Sequence, residues 1–274
     1  MELAFVCGPL LLSALLLPRV SLLPLLVTAA LLAVGGLGYC RTEAARRASP
    51  AVQEAASGHN PRTTGIGPPT ALASTGVVAV LAVMLMLSVG FGQLDTSLAA
   101  TSDLALGGSE QVGILFAAIA GGSTLGGLAF GARSWRFDER RAVTVLLCLF
   151  GLFLALLGWL LSVGAVGLLI LVPVLFLTGL TIAPTLIMQQ GLLDHLAPPH
   201  RLNEAQAFLS ASNTTGAAVG TAIAGIVIDI AGLGWSFGGA AVGVLCAAGV
   251  AAAYRRAGRS PTVVFDQPAG AAYR

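Results

Sequence analysis

Eight apolar segments fill most of the chain, and their length constrains the fold more than any other feature. These segments are Leu3–Leu17, Leu22–Tyr39, Leu72–Gln93, Val112–Ala132, Ala142–Val163, Val166–Met188, Phe208–Ile230 and Trp235–Tyr254. All are too long for strands, and unpaired strand edges could not be satisfied in lipid. Only 9% of the residues are charged, whereas soluble domains carry about 25%. The sequence therefore predicts an all-α polytopic membrane protein with eight transmembrane helices.

The arginines indicate how these segments are oriented in the membrane. Thirteen of the fourteen arginines follow segments two, four, six and eight, and only Arg19 follows segment one. Basic residues in short loops concentrate on the cytoplasmic side. We therefore expect a multi-pass protein of the inner (plasma) membrane with both termini in the cytoplasm. The basic residues form short clusters rather than a continuous face, so we expect the lipid bilayer, and not nucleic acid, as a partner.

Changes in composition divide the chain into four parts. Residues 1–40 contain two predicted spans of an incomplete N-terminal bundle, and residues 72–256 contain six spans that form a C-terminal bundle. Between them, residues 41–71 form a polar, proline-containing linker that we expect to be cytoplasmic and flexible. The tail, residues 257–274, is predicted to be a disordered cytoplasmic segment.

Signatures of catalysis and of metal binding are absent from the sequence. It contains no HExxH, GxSxG or Walker-type motif, and its four cysteines lie far apart without metal-ligand spacing. The three histidines, His59, His195 and His200, are all predicted to lie in loops. We therefore expect no enzyme activity, no cofactor and no metal site.

Segment six combines a row of polar residues with two helix-breaking prolines. The row consists of Thr178, Thr181, Thr185 and Gln189. Pro173 and Pro184 interrupt the hydrogen-bond ladder, and interrupted helices often line substrate cavities. Two interpretations remain open: the row lines a substrate pathway, or the threonines hydrogen-bond to their own backbone.

Three further polar residues are candidates for the substrate pathway. Gln93 and Asp95 lie at the predicted end of segment three, and ionisable groups at membrane depth are often functional. The alternative for Asp95 is an interfacial charge. Asn213 lies one to two turns into segment seven, where it contacts the substrate or forms an interhelical hydrogen bond.

Small residues recur at helical spacing in segments four and seven. They are Ala118, Gly122, Gly126, Gly216, Gly220 and Ala224. Such stripes allow helix backbones to approach closely, which predicts tight packing and is also compatible with moving bundles. At the start of segment seven, Asn203 and Gln206 have the spacing of a capping box.

Several local motifs resemble those of one transporter family, the major facilitator superfamily. The start of the first segment, from Glu2 to Pro9, is similar to the Gly-Pro motif in helix five of efflux members. Gly8 and Pro9 are the residues that carry this similarity. The sequence from Gly127 to Gly131, followed by Arg133 and Arg136, resembles the cytoplasmic Gly-and-Arg loop motif. The segment from Leu94 to Ala99 resembles the acidic motif of helix one, which helix seven of the family repeats by pseudo-symmetry. The segments from Gly179 to Thr185 and from Arg201 to Ala205 are similar to helices ten and eleven of drug and sugar efflux members.

The order of the segments resembles helices five to twelve of the twelve-helix fold of this family. The resemblance implies the last two helices of the first bundle and a complete six-helix second bundle, so we expect a chain shortened at its N-terminus. It also implies proton-coupled efflux of a small organic solute by alternating access, with Gly127, Gly131, Arg133 and Arg136 in a gating loop and Pro9 at a helix kink. The alternative from a different class is a truncated or accessory membrane protein without transport activity of its own.

Overall fold

The computed structural model describes residues 74–108, 111–132, 139–164, 167–198 and 201–257, together with Ala30, Ala33 and Val34. Residues 11–67 form a separate unit, in which the three described residues are helical. The larger ranges contain six α-helices. They are α1 (Thr75–Leu104), α2 (Val112–Gly131), α3 (Glu139–Ser162), α4 (Leu168–Leu196), α5 (Leu202–Ala231) and α6 (Leu233–Ala257).

Each of these six helices is long and apolar enough to cross a membrane. The prediction of an all-helical membrane protein is thereby confirmed for segments three to eight. Segment one lies outside the described residues, as does segment two apart from three helical positions, so the count of eight spans stays a prediction. Pro9, the linker and the part of the C-terminal tail that follows Ala257 lie outside them as well.

The predicted end of segment three at Gln93 is wrong, because α1 continues to Leu104. The hydroxyl residues beyond Gln93 satisfy their hydrogen bonds without ending the helix. The hydroxyl of Thr96 donates to the carbonyl of Gly92 at 2.8 Å, and that of Ser97 pairs with the hydroxyl of Ser236 in α6 at 2.7 Å. Asp95 therefore lies within a membrane-spanning helix and not at its end.

The junction between α4 and α5 also differs from the prediction. The helix α4 continues to Leu196, so His195 lies in its last turn and not in a loop. The residue at the N-cap of α5 is Arg201, which makes no side-chain cap hydrogen bond, so the predicted capping box at Asn203 is wrong. Gln206 instead donates from Nε2 to Oδ1 of Asp194 at 2.8 Å, because the extension of α4 brings this carboxylate within reach.

The six helices pack in an arrangement with internal symmetry. The main contacts are between α1 and α5, between α2 and α4, and between α3 and α6; α1 also packs on α6, as α4 packs on α3. Exchanging the first three helices with the last three reproduces this pattern. Most of the buried apolar core lies among α1, α3 and α6, where the ring centroids of Phe91 and Phe150 are 5.4 Å apart.

Glycines permit the closest helix contacts in the bundle. A Cβ atom at Gly122 of α2 would collide with the carbonyl oxygen of Phe176 in α4, and one at Gly220 of α5 would collide with that of Val89 in α1. Because these neighbours are backbone atoms, no side-chain rotation could relieve the clash. The tight-packing interpretation of both small-residue stripes is confirmed.

The described arginines lie at one end of the bundle. The starts of α1 and α3 and the ends of α4 and α6 line a common cavity, and the start of α5 packs against α1 and α4 nearby. Arg141, Arg201, Arg255 and Arg256 belong to these helix ends. Within the described parts of the opposite loops there is no arginine. We refer to the first end as the arginine end.

Candidate functional site

The contact between α1 and α5 contains a line of polar groups that reaches the surface of the bundle. We call it the α1–α5 seam and define it as Ser88, Gly92, Asp95, Thr96, Asn213 and Thr221. The buried hydroxyl of Ser88 donates to Oδ1 of Asn213 at 2.7 Å. The side chain of Asn213 is exposed, and no residue in the described ranges bonds to its Nδ2. Asn213 is therefore an interhelical link whose Nδ2 donates to none of the described residues.

A second polar contact in the seam is centred on the carbonyl of Gly92. It accepts a hydrogen bond from Thr96 at 2.8 Å within α1, and a longer one from Thr221 of α5 at 3.4 Å. A Cβ at Gly92 would collide with the carbonyl oxygen of Ala217, so glycine is what allows α5 to come this close. The seam thus joins close backbone packing to interhelical hydrogen bonding.

Asp95 lies one turn after Gly92 on α1 and is exposed on the surface of the bundle. No hydrogen bond or ion pair joins it to another residue in the described part of the chain. An ionisable group inside a membrane-spanning helix is costly unless it faces a partner, water or a cavity. Asp95 is therefore available for a partner that the described helices do not supply.

Gln93 does not form a polar cluster with Asp95, although the two lie close together in sequence. Two residues of an α-helix are about 200° apart around its axis when one residue separates them. Gln93 accordingly points to α6, where its Oε1 would lie 2.8 Å from a Cβ at Gly239, and it is only 4% exposed. Its Oε1 has no hydrogen-bond partner among the described residues.

The threonine row of α4 is buried within the bundle. Thr178, Thr181 and Thr185 donate their hydroxyl hydrogens to carbonyls of α4 itself, at 2.7, 2.7 and 2.6 Å. This is the backbone-bonding arrangement that the sequence left open as an alternative. A role for these threonines in a substrate pathway stays a prediction, as does that of Gln189, which is 2% exposed.

The two prolines of α4 lie inside one continuous helix. Pro184 has no N–H, so it leaves the carbonyl of Leu180 without its usual helical partner. A Cβ at Gly126 of α2 would collide with this carbonyl oxygen of Leu180. This position allows a weak Cα–H···O contact with the glycine, which recurs at helix–helix interfaces. The proline in α4 and the glycine in α2 therefore form one packing unit.

The predicted gating loop is described only in part. Gly127 lies within α2, where a Cβ would be 3.2 Å from that of Ala183, and Gly131 is the exposed last residue of the helix. Arg133 and Arg136 lie outside the described residues, so the gating role stays a prediction. No cluster of three or more potential metal ligands occurs in the ranges that the structure describes.

Four hydroxyl residues that form interhelical hydrogen bonds were not among the predicted site residues, namely Ser88, Ser97, Thr221 and Ser236. Each is a hydroxyl residue in an apolar helix, and such hydroxyls usually bond to their own backbone. Their partners lie at least 125 residues away along the chain. The spacing of Asn213 and Thr221, about two helical turns, was the one available signal that these two residues share a face.

A comparison with protein-family models matches residues 98–270 to the Major Facilitator Superfamily. The matched residues make up more than half of the chain and include α2 to α6 as well as the end of α1. No match was found among curated proteins, and none among solved structures.

Proposed function

The chain belongs to the Major Facilitator Superfamily, a family of membrane transporters, and we propose that it exports a small organic solute in exchange for protons. The observation that carries this proposal is the exposed carboxylate of Asp95 in the α1–α5 seam. A carboxylate on a membrane-spanning helix can bind and release a proton as its surroundings change. Family membership favours transport over the accessory role.

The seam suggests how solute and proton share one surface. The Nδ2 of Asn213 donates to none of the described residues and can bind a polar group of the solute, while its Oδ1 accepts a hydrogen bond from Ser88. Asp95 lies on the same helix as Ser88, two turns further along. In alternating access, Asp95 takes up a proton when the surface is open to the outside and releases it when the surface faces the cytoplasm.

The other predicted pathway residues are secondary candidates for contact with the solute. Gln93 and the α4 threonines are buried, so a solute reaches them only when helices separate. Asp95 and Asn213 are already exposed. The first tests therefore address these two residues.

The substitution Asp95→Asn tests the proton coupling. We expect the variant to insert and fold, because it removes a charge and keeps the side-chain shape. In proteoliposomes, an imposed proton gradient should accelerate export of an amphipathic organic solute by the wild type but not by the variant. A solute transported by the wild type is first selected from a radiolabelled panel.

The matched control is Asp229→Asn, which removes another exposed acid of a described membrane-spanning helix, near the end of α5. This variant should keep the response to the proton gradient. If Asp95→Asn responds as strongly as the wild type does, Asp95 is an interfacial charge and the coupling role is wrong.

We also propose eight spans, with two supplied by residues 1–40, and a cytoplasmic position for the linker and both termini. The support is the gathering of the described arginines at one end of the bundle, since arginine-rich ends face the cytoplasm. A Ser57→Cys variant without the native cysteines tests this topology. An impermeant thiol reagent should label it only after the cells are opened; labelling of intact cells would contradict the proposal.

A further inference from the structure

A groove runs along the surface of the bundle between α3 and α6, and its volume is about 290 Å³. Most of the residues that line it are glycine, alanine or serine, so the two helices leave space between them. Gly238 of α6 shows this directly, because a Cβ at this position would meet nothing within 4 Å. Trp159 of α3 and Trp235 of α6 also line the groove.

The dimensions of the groove fit one acyl chain of a lipid. From Gly234 to Leu245 it follows α6 for eleven residues, which is about 16 Å of helix rise. The hydrocarbon layer of a bilayer is about 30 Å thick, so the groove is as long as one leaflet is deep. Spread over this length, its volume gives a cross-section of about 20 Å², which is too narrow for an α-helix about 10 Å wide.

One end of the groove opens into a wider cavity of about 570 Å³, which we call the mouth. The two spaces are continuous, since Ser162, Gly234 and Trp235 line both of them. The mouth lies opposite the arginine end, where α1, α3 and α5 end and α6 begins. The last carbonyls of a helix lack helical partners, so the mouth is polar where the groove is apolar.

The two tryptophans indicate the depth of this junction in the membrane. Trp159 and Trp235 are 61% and 70% exposed. Exposed tryptophans of membrane proteins concentrate at the membrane–water interface, at the level of the lipid headgroups. The groove therefore extends from the headgroup level into the hydrocarbon layer, and the mouth lies at the headgroup level itself.

We propose that the groove and the mouth together bind one zwitterionic phospholipid, with an acyl chain in the groove and the headgroup in the mouth. The charges around the mouth select this class of lipid. Asp103 is exposed next to the lining residue Leu104, and the described residues at this end include no lysine or arginine. Helix C-termini also carry partial negative charge. An anionic headgroup is repelled here, whereas the ammonium group of a zwitterionic headgroup is attracted.

Native mass spectrometry of the full chain tests the proposal. The protein is reconstituted into vesicles of equal parts phosphatidylcholine and phosphatidylglycerol and is then released in a mild detergent. We expect one phosphatidylcholine molecule per chain to remain bound, with a several-fold preference over phosphatidylglycerol. A folded protein that retains no phospholipid, or that prefers phosphatidylglycerol, would overturn the proposal. The site is separate from the α1–α5 seam, so this test does not depend on the proposed transport activity.

Two variants that fill the groove locate the bound lipid. Gly238→Leu fills it from α6 and Ala155→Leu from α3, and each should lose the phosphatidylcholine while circular dichroism shows an unchanged helix content. The matched control is Gly249→Leu, on α6 but outside both linings, where an added Cβ also meets nothing within 4 Å. It should retain the lipid. Retention by both filled variants would show that the lipid binds elsewhere.

A second copy of the chain is the alternative occupant. A wild-type dimer that Gly238→Leu converts to monomers, with no retained lipid, would assign the groove to that contact and contradict the proposal. Asp103→Asn tests the position of the headgroup, because it removes a negative charge beside the mouth and leaves the groove intact. This variant should still retain a phospholipid but with a smaller preference for phosphatidylcholine. An unchanged preference would show that the headgroup does not lie in the mouth.

Discussion

The helix pairs α1–α5 and α4–α2 are equivalent under the internal symmetry of the bundle, yet they use their polar residues differently. In both pairs, glycines of one helix pack against backbone carbonyls of the other. The hydroxyl groups of α4 all donate to carbonyls of their own helix. In α1–α5, by contrast, Ser88 and Asn213 form a hydrogen bond between the helices, and Asn213 and Asp95 are exposed.

The difference shows that close packing and polar function are separable in this fold. Glycine stripes alone bring both pairs together, since they occur in both. Only the α1–α5 pair combines this packing with side chains that can contact a solute or bind a proton. Inverted three-helix repeats occur within each half of this family, so an equal backbone arrangement can carry unequal side-chain roles.

The largest expected effect on stability comes from adding a Cβ atom at the close contacts of both pairs. Gly220→Ala and Gly126→Ala should each lower the free energy of unfolding by about 1–3 kcal/mol, because the added Cβ overlaps a backbone carbonyl. Unfolding in mixed detergent micelles, followed by circular dichroism, measures the loss.

Gly225→Ala is the control for this comparison, since a Cβ at this position of α5 would meet nothing within 4 Å. It should be neutral or stabilise by up to about 1 kcal/mol through helix propensity. Equal destabilisation by all three variants would show that glycine matters here for flexibility and not for close approach.

A smaller effect is expected from the hydrogen bond that only the α1–α5 pair possesses. A double-mutant cycle with Ser88→Ala and Asn213→Ala should give a coupling energy of about 0.6 kcal/mol, the average for such bonds in membranes. Asn213→Ala should also slow transport several-fold, because it removes the exposed amide. Unchanged transport by a folded Asn213→Ala variant would assign Asn213 to packing alone.

The smallest effect is expected from the α4 threonines. Thr178→Val, Thr181→Val and Thr185→Val should each change the free energy of unfolding by less than about 0.5 kcal/mol, because each acceptor carbonyl belongs to the same helix. Transport should be retained in all three variants. A strong transport defect in Thr181→Val, restored in Thr181→Ser, would place this hydroxyl in the substrate pathway and remove the contrast between the pairs.

Helix positions could be predicted where length and apolarity decide them. The bounds of α2 match the predicted segment to within one residue at the C-terminal end. The end of α1 could not be predicted, since the polar residues after Gln93 resemble a helix terminus until their partners are known. The helical position of His195 could not be predicted either, because α4 continues beyond the apolar segment that ends at Met188.

By itself, the sequence determined that the chain is a helical membrane protein with glycine-lined contacts, because lipid allows few other structures and close approach requires small residues. It also located the polar residues along each helix. Only the tertiary structure decided which of them share a site: Gln93 faces α6, the α4 threonines bond to their own helix, and Asn213 meets Ser88. The physical reason is that local sequence fixes a side chain's angle around its own helix but not the neighbour at that angle. The partners of Ser88, Ser97 and Thr221 on neighbouring helices lie at least 125 residues away along the chain.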